Sequence, residues 1–325
     1  MKAYWLGTTA DGTFLEARDV PIPEPGDGQL LVRVRAAGLN RGEFMSRRDL
    51  HGAEGAGRPA GTESAGEVVR SGGGAGDFKP GDRVMATARG SFAEYVLMPA
   101  TSAIRVPERL TWEEAACTPL IFLVVHDMLV AQGQLAAGEW VLVANASSGV
   151  GVGTILAAKA LGAKTIGTSG SAAKLERLAA LGLDAGINTR GPHFAQRVME
   201  VTGGTGAAIA VNGIGGSVFA ECMRSLAYEG RLAMVGYVDG VLESTIDVAR
   251  LHANRLSLYG VSAVLRPPEQ RVAAVRAFVA DFLPLIAAGR LTPYVDRVFP
   301  FAELPAAKAY MESGAHVGKI AVTLP

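Results

Sequence analysis

Only two cysteines, Cys117 and Cys222, occur in the 325 residues, far apart and without a partner at metal-ligand spacing. That excludes a disulfide framework and a clustered thiolate centre, and it suits a reducing compartment. Charge of one sign is also missing: 31 Lys and Arg stand against 31 Asp and Glu. A chain balanced in this way builds no broad positive field of the kind that nucleic-acid or anionic-membrane binding uses. No apolar run approaches the ~18 residues of a membrane helix. The opening Met1-Lys2-Ala3-Tyr4-Trp5 runs into a strand-like stretch and does not read as a secretory leader. What the chain does have is an ordinary globular balance, 49% hydrophobic and 19% charged. Its length suits about two domains. The expectation is a cytoplasmic protein that binds neither nucleic acid nor membrane.

The first third is β-rich and punctuated. Residues 30–36, 66–70 and 92–97 read as strands, with the turn Ser71-Gly72-Gly73-Gly74-Ala75-Gly76 between two of them and Pro80-Gly81-Asp82-Arg83-Val84 entering another. Short strands with Gly and Pro turns predict a small barrel-like domain. Near Trp112 the period lengthens, and residues 112–132 carry helical spacing interrupted by Pro119. A strand–helix rhythm follows, with strands at 140–144, 164–168, 185–188, 207–211, 231–236 and 256–260, and helices at 150–161, 172–181 and 218–227. Strands joined by crossover helices pair in parallel, which predicts an α/β doubly wound sheet. After Pro267-Pro268 an amphipathic helix extends to about Ala288, and strand-like segments close the chain at 319–322. The predicted division is a β domain of 1–121 and 262–325 around an inserted domain of 122–261.

Between the first α/β strand and its helix stands Ala144-Asn145-Ala146-Ser147-Ser148-Gly149-Val150-Gly151. Ala146, Ser148 and Gly151 occupy the places of a Gly-x-Gly-x-x-Gly phosphate loop, where small residues let a pyrophosphate approach the backbone at a helix N-terminus. Without a ligand the same stretch is a tight strand-to-helix turn. A glycine-serine cluster is costly there unless something approaches the backbone, so Ser147, Ser148, Gly149, Val150 and Gly151 are candidate cofactor-binding residues.

An NAD site places an acid at the end of the second strand, to hold the ribose hydroxyls. Here that strand ends Thr168-Ser169-Gly170-Ser171-Ala172-Ala173-Lys174, with no acid. A hydroxyl and an ammonium suit a 2′-phosphate, so the expected cofactor is NADPH. Lys174 is the candidate phosphate ligand, with Ser169 beside it and Arg190 contributed from the end of the third strand. Taken alone, Lys174 is more commonly an exposed helix lysine; the missing acid, the serine and the lysine together favour the phosphate reading. Gly236, ending the fifth strand, and Tyr237 complete the cofactor-binding set.

These motifs resemble the zinc-free quinone oxidoreductases (ζ-crystallin type) of the medium-chain dehydrogenase/reductase superfamily. The resemblance rests on Ala37-Gly38-Leu39-Asn40, Gly61-Thr62-Glu63-Ser64-Ala65-Gly66, Gly81-Asp82-Arg83-Val84, Phe92-Ala93-Glu94-Tyr95-Val96, the phosphate loop and Gly318-Lys319-Ile320. It implies a GroES-like β-barrel-type domain plus a Rossmann sheet, an active site in the cleft between them, and a homodimer. It also implies that Asn40 lies at the nicotinamide as the catalytic polar group, and that Lys319 reaches the cofactor. By residue type alone Asn40 is a turn residue and Lys319 an edge-strand lysine. Zinc-dependent relatives carry Cys near Asn40 and His where Thr62 stands; only Glu63 of that set is present here. About three converging ligands are needed for a catalytic zinc, so the expected chemistry uses no metal. Without a Lewis acid, good hydride acceptors remain, and a small quinone or enone is the expected substrate.

The chain departs from the pattern at Val125, where relatives often have Thr; at Thr189, where Tyr is common; and at Phe44, where a phenol would donate a proton. His126 reads as a surface or interface residue. Residues 47–57 read as a loop governing specificity. Two other readings stay open: enoyl-thioester reduction, and a non-catalytic NADPH- or RNA-binding protein.

Overall fold

The strand Gln29–Gly38 is buried over most of its length, Arg33 excepted, and sits at the middle of a sheet. On one side it pairs antiparallel with Glu63–Ser71. On the other it meets Tyr95–Pro99 along its first half and Lys319–Thr323 along its last residues. In the computed structural model, which describes residues 1–9, 12–45 and 57–325, this sheet has seven strands. Residues 47–56 of the predicted specificity loop lie outside the described residues. A second, three-stranded sheet places Lys2–Thr9 between Gly12–Asp19 and Arg58–Pro59. Leu30, Val32, Val34, Phe92, Met98, Phe299, Ile320 and Val322 form a common apolar core. These elements make up one compact unit of Met1–Leu120 and Arg271–Pro325.

The other unit, Ile121–Gln270, holds six parallel strands. Their spatial order is Ala185–Asn188, Lys164–Ser169, Trp140–Ala144, Ala207–Asn212, Leu226–Met234 and Ser257–Gly260. Numbered along the chain this is 3-2-1-4-5-6, the doubly wound Rossmann order. The first strand lies in the middle, and Val141, Leu142 and Val143 are wholly buried, as an all-parallel interior strand requires. Ligands of such sheets bind beyond the carboxyl ends of the strands.

Element ends differ from the periodicity in places that have a chemical cause. The helix predicted over 218–227 stops at Arg224, where Ser225 Oγ bonds the Glu221 carbonyl, and the fifth strand begins at once at Leu226. The long helix after Pro267 divides into Pro268–Asp281 and Leu283–Ala287, because Pro284 has no N–H for a continuous ladder. The stretch 112–132 becomes Trp112–Ala116, opened by a Thr111–Glu114 capping box, then Pro119–His126 and a wide turn over Asp127–Ala131. Arg266 pairs with Asp127 at 2.7 Å, so the segment after the sixth strand stays with the second unit as far as Gln270.

Candidate functional site

The second unit builds its loop from small residues because the backbone turns back on itself there. Asn145 adopts a left-handed conformation (φ 64°), which Asn tolerates better than most residues. Ser148 caps the helix Gly149–Ala160: its Oγ accepts from the Gly151 amide at 3.0 Å and donates to the Asn145 carbonyl at 2.9 Å. A Cβ on Gly151 would lie 2.5 Å from the Ala146 carbonyl oxygen and 2.6 Å from that of Asn145. Glycine is therefore required at 151 by close packing of helix against loop. The Ala146 amide bonds the Thr168 carbonyl, tying this loop to the end of the second strand.

That strand end is also shaped around small groups. Ser169 is nearly buried, and its Oγ accepts from the Ser171 amide at 3.3 Å. A Cβ on Gly170 would meet Arg190 Cγ at 2.6 Å, so the Arg190 side chain lies directly across Gly170. The structure thus brings Ser169 and Arg190 together. Lys174 sits half-buried in the first turn of the helix Ala172–Ala180, whose cap is Ser171. Gly236 follows the fifth strand and faces Gly213, which follows the fourth, with 3.4 Å between its Cβ position and the Gly213 carbonyl. Tyr237 is half-buried next to it.

In the first unit the last strand returns beside Gly38, and the Leu39 amide bonds the Ile320 carbonyl at 3.0 Å. This places Lys319 against Asn40. Lys319 Nζ donates to Glu63 Oε1 at 2.6 Å, to Asn40 Oδ1 at 2.7 Å and to the Leu39 carbonyl at 2.7 Å, so all three ammonium hydrogens are used. The Asn40 amide nitrogen in turn faces Glu43 Oε1 at 2.9 Å, Glu63 Oε1 at 3.0 Å and Thr62 Oγ1 at 3.3 Å. Thr62 Oγ1 donates to Glu43 Oε1 at 2.5 Å, and Glu63 Oε2 accepts from the Leu120 amide at 2.9 Å. Lys319, Glu43 and Glu63 are buried, whereas Asn40 and Thr62 are half-buried and form the accessible rim.

Electrostatics follow from that burial. Desolvation works against the Lys319 ammonium, yet Glu63, with Cys117 and Glu43, holds its pKa above the ordinary lysine value. Burial pushes Glu43 up to about 7, against the pull of Thr62, Asn40 and Lys319 and with a further push from Glu63. Burial also pushes the Cys117 thiol up to about 12, which leaves it neutral. Glu43 Oε2 is buried without a hydrogen-bond partner among the described residues.

Residues 149–280 match the family model for zinc-binding dehydrogenases, and residues 26–108 match that for the alcohol dehydrogenase GroES-like domain. The mycobacterial protein Rv1454c, solved in complex with NADPH, superposes with a TM-score of 0.88 and 29% identity, covering 100% of both chains. A mycobacterial quinone oxidoreductase superposes with a TM-score of 0.84 and 29% identity, again over 100% of both chains. In sequence, a phenolphthiocerol/phthiocerol polyketide synthase of Mycobacterium tuberculosis is 30% identical over 312 residues. That alignment takes in 96% of this chain, which spans only 14% of the synthase polypeptide's length.

The name of the first family model raises the question of zinc. The side chains present do not fit it. Glu63, the carboxylate that persists from the zinc-dependent pattern, is neutralised by an ammonium at 2.6 Å. Its other hydrogen-bond partners are the Asn40 side-chain amide and the Leu120 backbone amide, neither of them a zinc ligand. Among the described residues, no group of three or more His, Cys, Asp or Glu stands close enough to share an ion.

The network contains two residues that pattern reading passed over as functional, Glu43 and Thr62. The available signal for Glu43 was an acid three residues after Asn40 and directly before the apolar Phe44. For Lys319 the residue was legible but its partner was not: the Glu63 pairing spans 256 positions.

Proposed function

The chain belongs to the medium-chain dehydrogenase/reductase superfamily of oxidoreductases, and from that premise we propose that it is an NADPH-dependent, metal-free reductase of a small quinone or enone. The observation that carries the cofactor reading is Arg190 lying across Gly170 beside Ser169, with no acid at that strand end. A guanidinium in that place suits the 2′-phosphate of NADPH, which it can meet with paired N–H groups. Lys174 adds a second cation from the first helical turn.

We assign the pyrophosphate to Ser147–Gly151, whose amides open a twelve-residue helix, with Gly151 keeping the backbone clear of side chains. Gly236 and Tyr237 line the same carboxyl edge of the sheet and take the nicotinamide half. Bound NADPH supplies the hydride. Asn40 is the polar contact for the acceptor oxygen, held in one orientation by Lys319, Glu63 and Glu43. Lys319 spends its donors inside the first unit, so it serves the reaction by fixing Asn40. The metal-free reading is supported by the Lys319–Glu63 pair, and it restricts the substrate to acceptors that need no Lewis acid.

The test is NADPH oxidation by a simple benzoquinone and by a short enone, with and without a chelator. Turnover of either acceptor that a chelator leaves intact is the expected result. Absence of turnover across a broad acceptor panel, with NADPH bound, contradicts the reading. The alignment of 96% of this chain with a polyketide synthase favours one second reading, reduction of an enoyl thioester. Turnover of a crotonyl thioester in preference to the quinone would select it. The homodimer that the family resemblance implies, and a cytoplasmic setting, belong to the same proposal.

A further inference from the structure

Reduction of a quinone or enone consumes a proton as well as a hydride, and the network around Asn40 bears on where that proton is kept. Lys319 uses its three hydrogens on Glu63, Asn40 and the Leu39 carbonyl. An amide such as Asn40 does not ionise in water, and its two hydrogens already face three acceptors. Cys117 is buried, its thiol donates to the Ile320 carbonyl at 3.7 Å, and burial keeps it neutral. Glu43 is different. It sits on the turn Arg41–Glu43, three residues after Asn40, with Oε1 contacting Thr62 at 2.5 Å and Oε2 buried without a partner among the described residues. Thr62, half-buried at the rim, meets that carboxyl through Oγ1.

We propose that Glu43 is the proton reservoir of the reduction and that the Thr62 hydroxyl carries its proton to the reduced acceptor. The proposal rests on the quinone or enone reading above. The acceptor gains two electrons and one hydrogen as hydride, and the Thr62 O–H bond breaks as its proton passes to the acceptor's oxygen (or to the α-carbon of an enone). The Glu43 carboxyl O–H breaks in turn and remakes the Thr62 hydroxyl. Glu43 is left as a carboxylate held by Asn40 and Thr62, and water reprotonates it after product leaves. A hydroxyl and a protonated carboxyl each donate and accept, so the 2.5 Å contact serves both directions of transfer.

The surroundings agree with a group that holds a proton near neutrality and can release it. Burial and the Glu63 charge favour the acid form, and the Lys319 charge favours the carboxylate. The third charged group facing it is Arg58, which donates to the Glu43 carbonyl at 3.1 Å. A carboxyl pushed to about 7 is matched to proton donation at neutral pH.

The experiment compares wild type, Glu43→Gln, Thr62→Val and Thr62→Ser in benzoquinone reduction by NADPH across acid to alkaline pH, with NADPH affinity and thermal melting measured on each. Wild-type kcat should fall as pH rises through about 7. Glu43→Gln and Thr62→Val should lower kcat roughly a hundredfold and remove that limb, while the NADPH dissociation constant moves less than about twofold. Thr62→Ser, which keeps the hydroxyl, should recover most of the rate. Should Glu43→Gln fail to fold, the Thr62 pair decides the matter. Wild-type turnover with the same pH limb in Glu43→Gln, or with Thr62→Val as fast as Thr62→Ser, overturns the relay and leaves the reductase reading standing. A wild type that binds NADPH and reduces no quinone or enone overturns both.

Discussion

The Lys319 ammonium lies 2.6 Å from Glu63 Oε1, both groups buried and both further hydrogen-bonded. This pair joins the last strand of the chain to a strand near its start, and the rim residue Asn40 is hung from it. A buried pair of this kind is evidence of arrangement more than of stability, because desolvation consumes most of the Coulomb attraction. Its cost appears when one partner goes.

Lys319→Met should therefore destabilise the first unit by about 3–5 kcal/mol, since it leaves the Glu63 charge buried and alone. Combining it with Glu63→Gln should recover part of that loss. Urea unfolding of the two variants checks the ordering, and a double variant weaker than Lys319→Met contradicts it.

Glu43 makes stability depend on pH with a definite sign. Its folded pKa of about 7 lies above the ordinary 4.5, so the folded state holds a proton that the unfolded state has released. The stabilisation by that proton is complete below 4.5 and is lost as pH rises to about 7. The gap corresponds to about 3 kcal/mol. The melting temperature of wild type should fall relative to Glu43→Gln over this window, and parallel curves for the two proteins would remove Glu43 as the cause.

At the strand end, Arg190→Ala and Lys174→Ala should each raise the NADPH dissociation constant about tenfold to a hundredfold, the worth of one charged hydrogen bond, with much smaller effects on NADH. Fluorescence titration with both nucleotides is the measurement. Equal effects on the two would move the 2′-phosphate elsewhere.

Gly151→Ala puts a methyl group 2.5 Å from the Ala146 carbonyl oxygen. The loop or the helix must shift, at a cost of about 1–3 kcal/mol. NADPH binding should weaken together with the melting temperature. Unchanged affinity would show that the loop is not the pyrophosphate cradle.

The doubly wound sheet was legible from residues 140–260, because a buried parallel strand is a short apolar run and a crossover helix has its own period, both local in sequence. The strand-to-helix turn at 144–151 was legible for the same reason: Ser148 caps and Gly151 packs within a few residues of each other. The missing acid after Thr168 was readable directly. The sequence alone thus determined the fold class and the cofactor expected. Only the tertiary structure decided how Asn40, Glu43, Thr62, Glu63 and Lys319 meet. Periodicity carries no information on which polar side chains pair across 256 positions, and an acid standing directly before Phe44 does not by itself announce that the fold takes its carboxyl out of water. Burial of charge is a property of the assembled sheet, and it turns a conventional acid and lysine into a network that orients Asn40.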